Sequence, residues 1–466
     1  MKKALLLTSC LAVSSLFADN IAISSSDQYT IETDGLITNI YATAGVSDVN
    51  VNVTANNLYY LYAGHADSDA GHADSVDSKQ LDAKYTVTGG ATVARSGSGG
   101  VFGIRSSAGS STTFTVKDGT YNIGSKDGLF KDIVIEASSS STTGNSQKLI
   151  FDSTSTTNVF TSQLVMKANL GTTIEVNGKF NVYNVALPSL TKNVVVPADA
   201  PYSKINLQQS GSFTLGSTGT INTDTMTITN TKTTFNGTLN LKTTSETNAL
   251  ALAGNTTATF NNGSKLYLES GKRILLRDNA TLTINQGAMI EADFVRFGDD
   301  KGGKGAKLIL NGKDVLKNPA GTGDSNLLIV SGYKADIKVS QTNSFGQTSV
   351  NTQSEIFLEL AFTDAESYIN FGKIRGAGVT DAIFKVKNFE NNRIKGYLGE
   401  QITGTQLWLY DEKLEDYVQL NADKFGWVDA GNGYFWLNMT AVPEPAEWAM
   451  IFGALALALA IYRRRK

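Results

Sequence analysis

The sequence predicts an all-β chain: a parallel β-helix or solenoid with a small C-terminal β-module, followed by one C-terminal transmembrane helix. Three observations carry this expectation. A strand–turn unit recurs along the middle of the 466-residue chain at a spacing of about 22 to 26 residues, within the range that marks stacked repeats. Thr, Ser, Asn and Gly are abundant while prolines number only six, a balance that suits strands joined by tight turns. One apolar run of near-membrane length stands at the extreme C-terminus.

Taken in order, residues 1–18 read as a secretory signal peptide. Lys2 and Lys3 precede an apolar stretch from Ala4 to Phe17, and Ala18 stands before Asp19 as a small cleavage-site residue. Such a segment implies passage through the Sec translocon. Leu7-Thr8-Ser9-Cys10 has the form of a lipoprotein box, but too few apolar residues precede the cysteine to make a hydrophobic region. Cys10 is the only cysteine. Cleavage after Ala18 leaves an exported chain without thiol or disulfide, held together by packing and hydrogen bonds.

The formal charge is −3, and six basic residues against two acidic ones (Glu444, Glu447) lie in the two terminal signals. The exported portion is therefore more acidic than the whole and has no basic cluster. That argues against nucleic acid as a partner, because phosphate contacts require Lys/Arg patches.

Residues 19–84 read as an N-terminal β-rich capping region containing a loop. In it, Gly64-His65-Ala66-Asp67-Ser68-Asp69-Ala70-Gly71-His72-Ala73-Asp74-Ser75 is a short tandem repeat that holds both histidines. His and Asp ligate divalent metals, but the spacing of a calcium loop and its closing Glu are missing. The stretch reads as a solvated loop, and neither a metal nor a cofactor is expected.

Residues 85–345 carry the repeats. Thr112-Thr113-Phe114-Thr115-Val116-Lys117-Asp118-Gly119 and Thr172-Thr173-Ile174-Glu175-Val176-Asn177-Gly178-Lys179-Phe180 are two copies. Later copies place their second residue at Ser212, Thr234, Thr259, Thr281 and Lys307. Alternation at period two puts one side of each strand inward. A single unit cannot bury that face alone, so stacked coils must share a core, here as a right-handed parallel β-helix or a close relative. Asn-Gly between alternating runs is also the strongest hairpin signal and would build a sandwich; the near-constant period favours the solenoid.

Within the repeats, Glu291, Asp293, Arg296, Asp299 and Asp300 form the densest charged group. Glu291 and Asp293, two apart in a strand, would share a face, as acid/base chemistry requires. A solvated face leading into a Gly/Lys loop is the plainer reading. No phosphate loop, His-Glu-x-x-His or nucleophile elbow occurs, and two histidines in one loop do not make a triad. No catalytic residue is assigned and the chain is not expected to be an enzyme.

Residues 346–440 form an aromatic-rich β-module with Trp408, Trp427 and Trp436 beside Phe425, Tyr434 and Phe435. Leu407-Trp408-Leu409-Tyr410 and Tyr417-Val418-Gln419-Leu420 flank a polar turn and read as a hairpin. Aromatic platforms for sugars are one reading. The core of a module that closes the solenoid is the other, since alternating aromatics in strands usually face inward.

Residues 441–466 are a sorting handle in physical terms. Pro443 and Pro445 fix φ and lack an N–H, so Pro443-Glu444-Pro445 is a stiff extended triplet. Residues 446–462 are almost wholly apolar, about 17 residues long, at the lower limit for a spanning helix. Trp448 and Tyr462 stand at the edges, and Arg463, Arg464, Arg465 and Lys466 hold the end in the cytoplasm.

These 26 residues resemble the PEP-CTERM sorting signal of Gram-negative bacteria, and Val442 before the triplet fits its commonest form. The resemblance implies recognition of Pro443, Glu444 and Pro445 by an exosortase, a membrane-embedded cysteine protease, with the basic cluster as stop signal. It also implies a destination at the cell surface or in an exopolysaccharide matrix, after an inner-membrane intermediate. The repeat body resembles autotransporter passengers and adhesins, but no series of lipid-facing strands closes a C-terminal barrel. The expectation is a non-enzymatic structural or adhesive protein. The alternative is a surface polysaccharide-active enzyme or carbohydrate-binding protein on a β-helix scaffold.

Overall fold

The computed structural model describes residues 19–43, 45–64, 82–96, 99–106, 111–129, 132–139, 146–298, 305–317, 328–330, 334–350, 354–376, 381–398 and 404–440. The signal peptide, both histidines, Asp299, Asp300 and the C-terminal sorting segment lie outside them. Among the described residues every regular element is a strand except a 3-10 turn at Ala422–Lys424. No helix among them is long and apolar enough to cross a membrane. The chain divides into two units, one of Met1–Arg296 with Val315–Ala320, the other of Phe297–Asp314 with Gly321–Lys466.

Long parallel ladders, consistent with a β-solenoid, build the first unit. From Thr172 onward three strands make a coil, and each strand pairs in parallel with the third one after it. Thr172–Val176 pairs with Ser212–Leu215, Lys179–Tyr183 with Thr220–Thr223, and Lys204–Gln208 with Met226–Thr229. Parallel pairing is already present at Asp19–Ile23, against Leu36–Ala42. Alternation decides the faces: Phe213, Leu215, Phe235, Phe260, Leu282 and Ile284 are buried inward, and Phe235 stacks on Phe260 with ring centres 4.3 Å apart.

Asn-Gly pairs in this unit are corners between coils. The strands either side of Asn177-Gly178 pair with the next coil, not with each other. Glycine is required because the neighbouring coil approaches closely: a Cβ on Gly178 would lie 2.4 Å from the carbonyl oxygens of Asp152 and Ser155, and one on Gly237 would lie 2.3 Å from those of Gly216 and Gly219. Buried threonines seal other corners, as Thr256 Oγ1 donates to the Ala253 and Ile228 carbonyls at 2.6 and 3.1 Å.

The coil register corrects the repeat spacing in one respect. Ser212 stands opposite Lys232, which stands opposite Thr257, which stands opposite Thr281. Two of the copies therefore start two residues earlier than Thr234 and Thr259. A two-residue slip leaves inward and outward positions unchanged, so the hydrophobic pattern cannot detect it.

In the second unit, one sheet runs Lys307–Asn311, Lys334–Val339, Glu355–Leu360, Asp381–Lys387 and Gly404–Asp411 in parallel, ending on the antiparallel strand Asp416–Gln419. The other carries Ile369–Gly376 parallel to Ile394–Leu398, then turns antiparallel through Tyr434–Met439 to Phe425–Gly431. Both sheets thus end in antiparallel hairpins, including the one expected between Trp408 and Leu420.

Candidate functional site

With inward positions committed to the core, chemistry is left to the outward faces. On one sheet of the first unit the outward column Thr214, Thr234, Thr259 and Thr283 is a rank of half-exposed hydroxyls, one per coil.

The neighbouring sheet carries a column of amides. Asn122, Asn158, Asn181, Asn222 and Asn240 stand in register. Each Nδ2 from Asn158 onward donates to the Oδ1 before it, at 3.0, 2.9, 2.8 and 2.8 Å. The first three are buried, while Asn222 and Asn240 are half-buried. The register then places Tyr267, Glu291 and Lys317 in the same column.

An extended strap between Tyr183 and Tyr202 covers the first rungs. Its base is closed by the stacked rings of those tyrosines, 5.4 Å apart, and by Asn184 N donating to the Pro201 carbonyl at 2.8 Å. Its tip reaches back across earlier coils, where Thr92 Oγ1 donates to the Thr191 carbonyl at 2.6 Å and Asn122 Nδ2 to that of Lys192 at 3.1 Å. The Lys192 ammonium donates to the carbonyls of Val53 and Gly89. Burial there lowers the Lys192 pKa, against the attraction of Asp34.

Glu291, Asp293 and Arg296 do not form an acid/base pair with a shared face. Glu291 is outward at the end of Met289–Glu291, but the strand stops there and the chain turns. Asp293 is buried at that corner, where its Oδ2 accepts from Gly271 N and, at 3.4 Å, from Ser270 Oγ. The corner breaks the alternation on which the expectation rested. Arg296, in Phe294–Phe297, lies close enough to Arg273 for its charge to lower that group's pKa, after the larger effect of burial. Among the described residues no three His, Cys, Asp or Glu side chains are grouped to hold a metal.

In the second unit the outward face is a mosaic of rings and charges that sequence reasoning did not find. Lys334 Nζ lies 4.1 Å from the centre of the Phe357 ring; Lys385 Nζ lies 4.9 Å from Phe357 and 5.2 Å from Trp408; Lys387 lies 4.4 Å from Tyr410. The same lysines pair with carboxylates, Lys385 with Glu355 at 2.8 Å and Lys387 with Glu412 at 3.5 Å, beside Lys338 with Glu359 at 2.6 Å. Tyr417 closes on Phe357 and Tyr410, each at 5.3 Å, and burial with nearby Asp336 raises its pKa.

On the unit's other sheet, Lys395 Nζ stands 5.1 to 5.6 Å from Tyr368, Tyr434 and Trp436. Trp427 donates its indole N–H to Thr405 at 3.0 Å and meets Phe384 edge-on. The three tryptophans are half-buried, neither core nor open platforms. Trp408 and Trp436, whose faces a sugar would stack on, already hold an ammonium.

No protein-family model matches the chain, and no curated protein or solved structure is similar to it.

Proposed function

We propose that the chain is an exported structural or adhesive protein of the cell surface or extracellular matrix. A C-terminal PEP-CTERM signal delivers it and an exosortase-type protease processes it. The body is a β-solenoid of stacked coils with an aromatic-rich C-terminal β-module. The apolar run 446–462 is its transient transmembrane helix. The observation that carries the reading is the ordered tail: Pro443-Glu444-Pro445, an apolar run of spanning length, then Arg463, Arg464, Arg465 and Lys466. A signal peptide at the other end provides the matching export step through the Sec translocon.

The form of the body supports the same reading. Its outward faces offer regular hydroxyl, amide and charged columns, as a scaffold or adhesive surface does. A polysaccharide-cleaving enzyme would need two carboxyl groups, or a carboxyl and a base, converging on one substrate bond, and Glu291 and Asp293 do not converge. Exopolysaccharide is the partner this reading gives the body.

Replacing Pro443 and Pro445 with alanine tests delivery. Mass spectrometry of the C-terminus from native cells should show a chain shortened near the motif in the parent. The variant should stay full-length and membrane-retained. Unchanged release of the variant contradicts the exosortase reading.

A further inference from the structure

We infer that the outward face formed by Thr220–Thr223, Thr238–Leu241, Lys265–Leu268 and Met289–Glu291 in the first unit binds an unbranched neutral glycan laid along the stack. The inference rests on the adhesive reading and names the ligand for one face. Two observations carry it: hydrogen-bonding groups left free, and an extended chain already held by the same column.

Below the strap, the column of amides meets open surface. Asn240 donates to Asn222, and its own Oδ1 has no hydrogen-bond partner among the described residues, because Tyr267 occupies the next rung. The Thr238 hydroxyl on the same rung, and the Lys265 ammonium and Glu291 carboxylate on the next two, are also without protein partners among the described residues. The Tyr267 ring lies beside Met289, its hydroxyl 3.7 Å from Sδ. Amide, ring and carboxylate (Asn240, Tyr267, Glu291) thus follow one another at the ladder spacing of about 4.8 Å, with the Thr238 hydroxyl beside Asn240 on the same strand. That interval is close to the advance per residue of an extended hexose chain.

At its upper end the same column binds an extended chain in the structure, since Thr92 and Asn122 hold the strap by its carbonyl oxygens. Side-chain donors of this column therefore reach the oxygens of a chain lying on the face. Asn222 and Asn240 present the same chemistry where no strap lies. A peptide joining by strand addition would need a free edge, and each of the two middle rungs has both edges paired. Groups that both donate and accept suit sugar hydroxyls. Lys265 and Glu291, of opposite sign, and the Lys242–Glu269 ion pair at 3.3 Å leave the face without a dominant charge, which selects a neutral glycan over an acidic one.

Calorimetric titration of the full-length chain in detergent with unbranched gluco-, manno- and xylo-hexasaccharides tests this. Saturable binding of at least one is expected. Asn240→Ala and Tyr267→Ala should each weaken it about tenfold. Glu291→Ala, at a half-buried side chain with no hydrogen-bond or ion-pair partner among the described residues, should also weaken it, whereas Trp408→Ala should leave it unchanged. No binding to any of the three overturns the inference. So does binding that depends on Trp408 and not on Asn240, or binding confined to acidic oligosaccharides or peptides. Digestion of intact cells by added protease reports delivery to the surface separately. Loss of binding with delivery intact removes the glycan and leaves the proposed function standing.

Discussion

The two units share the parallel ladder but finish their surfaces in opposite ways. In the first, outward positions carry a column of threonines and a column of asparagines whose side-chain amides bond from coil to coil, with one strap laid over the earliest rungs. In the second, outward positions carry lysines, carboxylates and rings that neutralise one another locally. A neutral ladder can repeat indefinitely because each rung offers the next the same donor and acceptor. A ladder of ion pairs and cation–π contacts is specific to its neighbours and suits an end. The parallel ladders of the second unit do end there, on hairpins whose outer strands each expose an acidic residue, Asp416 and Asp429, which discourages further strand addition.

The sharpest way to break this comparison is to cut into the core of one unit and the surface of the other. Phe235→Ala removes a fully buried ring stacked on Phe260 and should cost about 3–5 kcal/mol in denaturant unfolding. Trp408→Ala in the second unit should cost far less, because that ring is only half-buried and its indole N–H is buried with no hydrogen-bond partner among the described residues. Equal losses would mean that the outward mosaic is a core after all.

Next in size is the amide ladder. Asn181→Ala leaves Asn158 Oδ1 without its donor and the Asn222 amide without its acceptor, so a loss of about 1–3 kcal/mol is expected from melts of the variant. Asn255→Ala, at an exposed corner bond to Asn279, should fall within about 0.5 kcal/mol of the parent.

Alkaline titration sharpens the contrast further. Burial pushes Tyr85 up to about 12 and raises Tyr121, whose hydroxyl donates to the Val87 and Lys117 carbonyls at 2.9 and 3.0 Å. A phenol whose folded pKa is raised keeps its proton when the unfolded chain has lost it. Its stabilisation is therefore complete below the ordinary value of 10.0 and is lost as pH rises toward about 12. Melts at pH 9 and pH 11 should show the fall, and Tyr121→Phe should reduce it. An unchanged slope would contradict the burial of that hydroxyl.

The smallest effect expected is that of Lys385→Ala, about 1 kcal/mol or less and shrinking as salt is added, since its contacts to Glu355, Phe357 and Trp408 are half-exposed. A salt-independent loss would place the value of Lys385 in packing instead.

Much of the fold was legible because alternation at period two reports inward and outward positions directly. Phe213, Phe235 and Phe260 could be assigned to the core from sequence. What alternation does not encode is which rung lies on which. Asn181, Asn222 and Asn240 each stand between two inward residues, yet nothing local says that they stack. The strap was missed for a different reason. Val194-Val195-Val196 resembles a strand, but three of the chain's six prolines, Pro188, Pro197 and Pro201, surround it and keep it out of a ladder, leaving Val195 81% exposed. Glu291 does lie on an outward face, but its neighbour in the column is Tyr267 and not Asp293. The corner after Glu291 was invisible to a reading that continued the strand.

The central structural claim is that Asn-Gly pairs of the first unit turn corners between stacked coils instead of closing hairpins as Asn432-Gly433 does in the second, since that stacking creates the amide column. Cysteine pairs test it directly. Thr214 and Thr234 face each other on adjacent coils, about 4.8 Å apart by strand spacing, within disulfide range. A hairpin at Asn236-Gly237 would instead bring Thr234 beside Leu239. Under oxidation Thr214→Cys with Thr234→Cys should cross-link efficiently, and Thr234→Cys with Leu239→Cys should not. The reverse result would contradict the stack and with it the face assigned to the glycan.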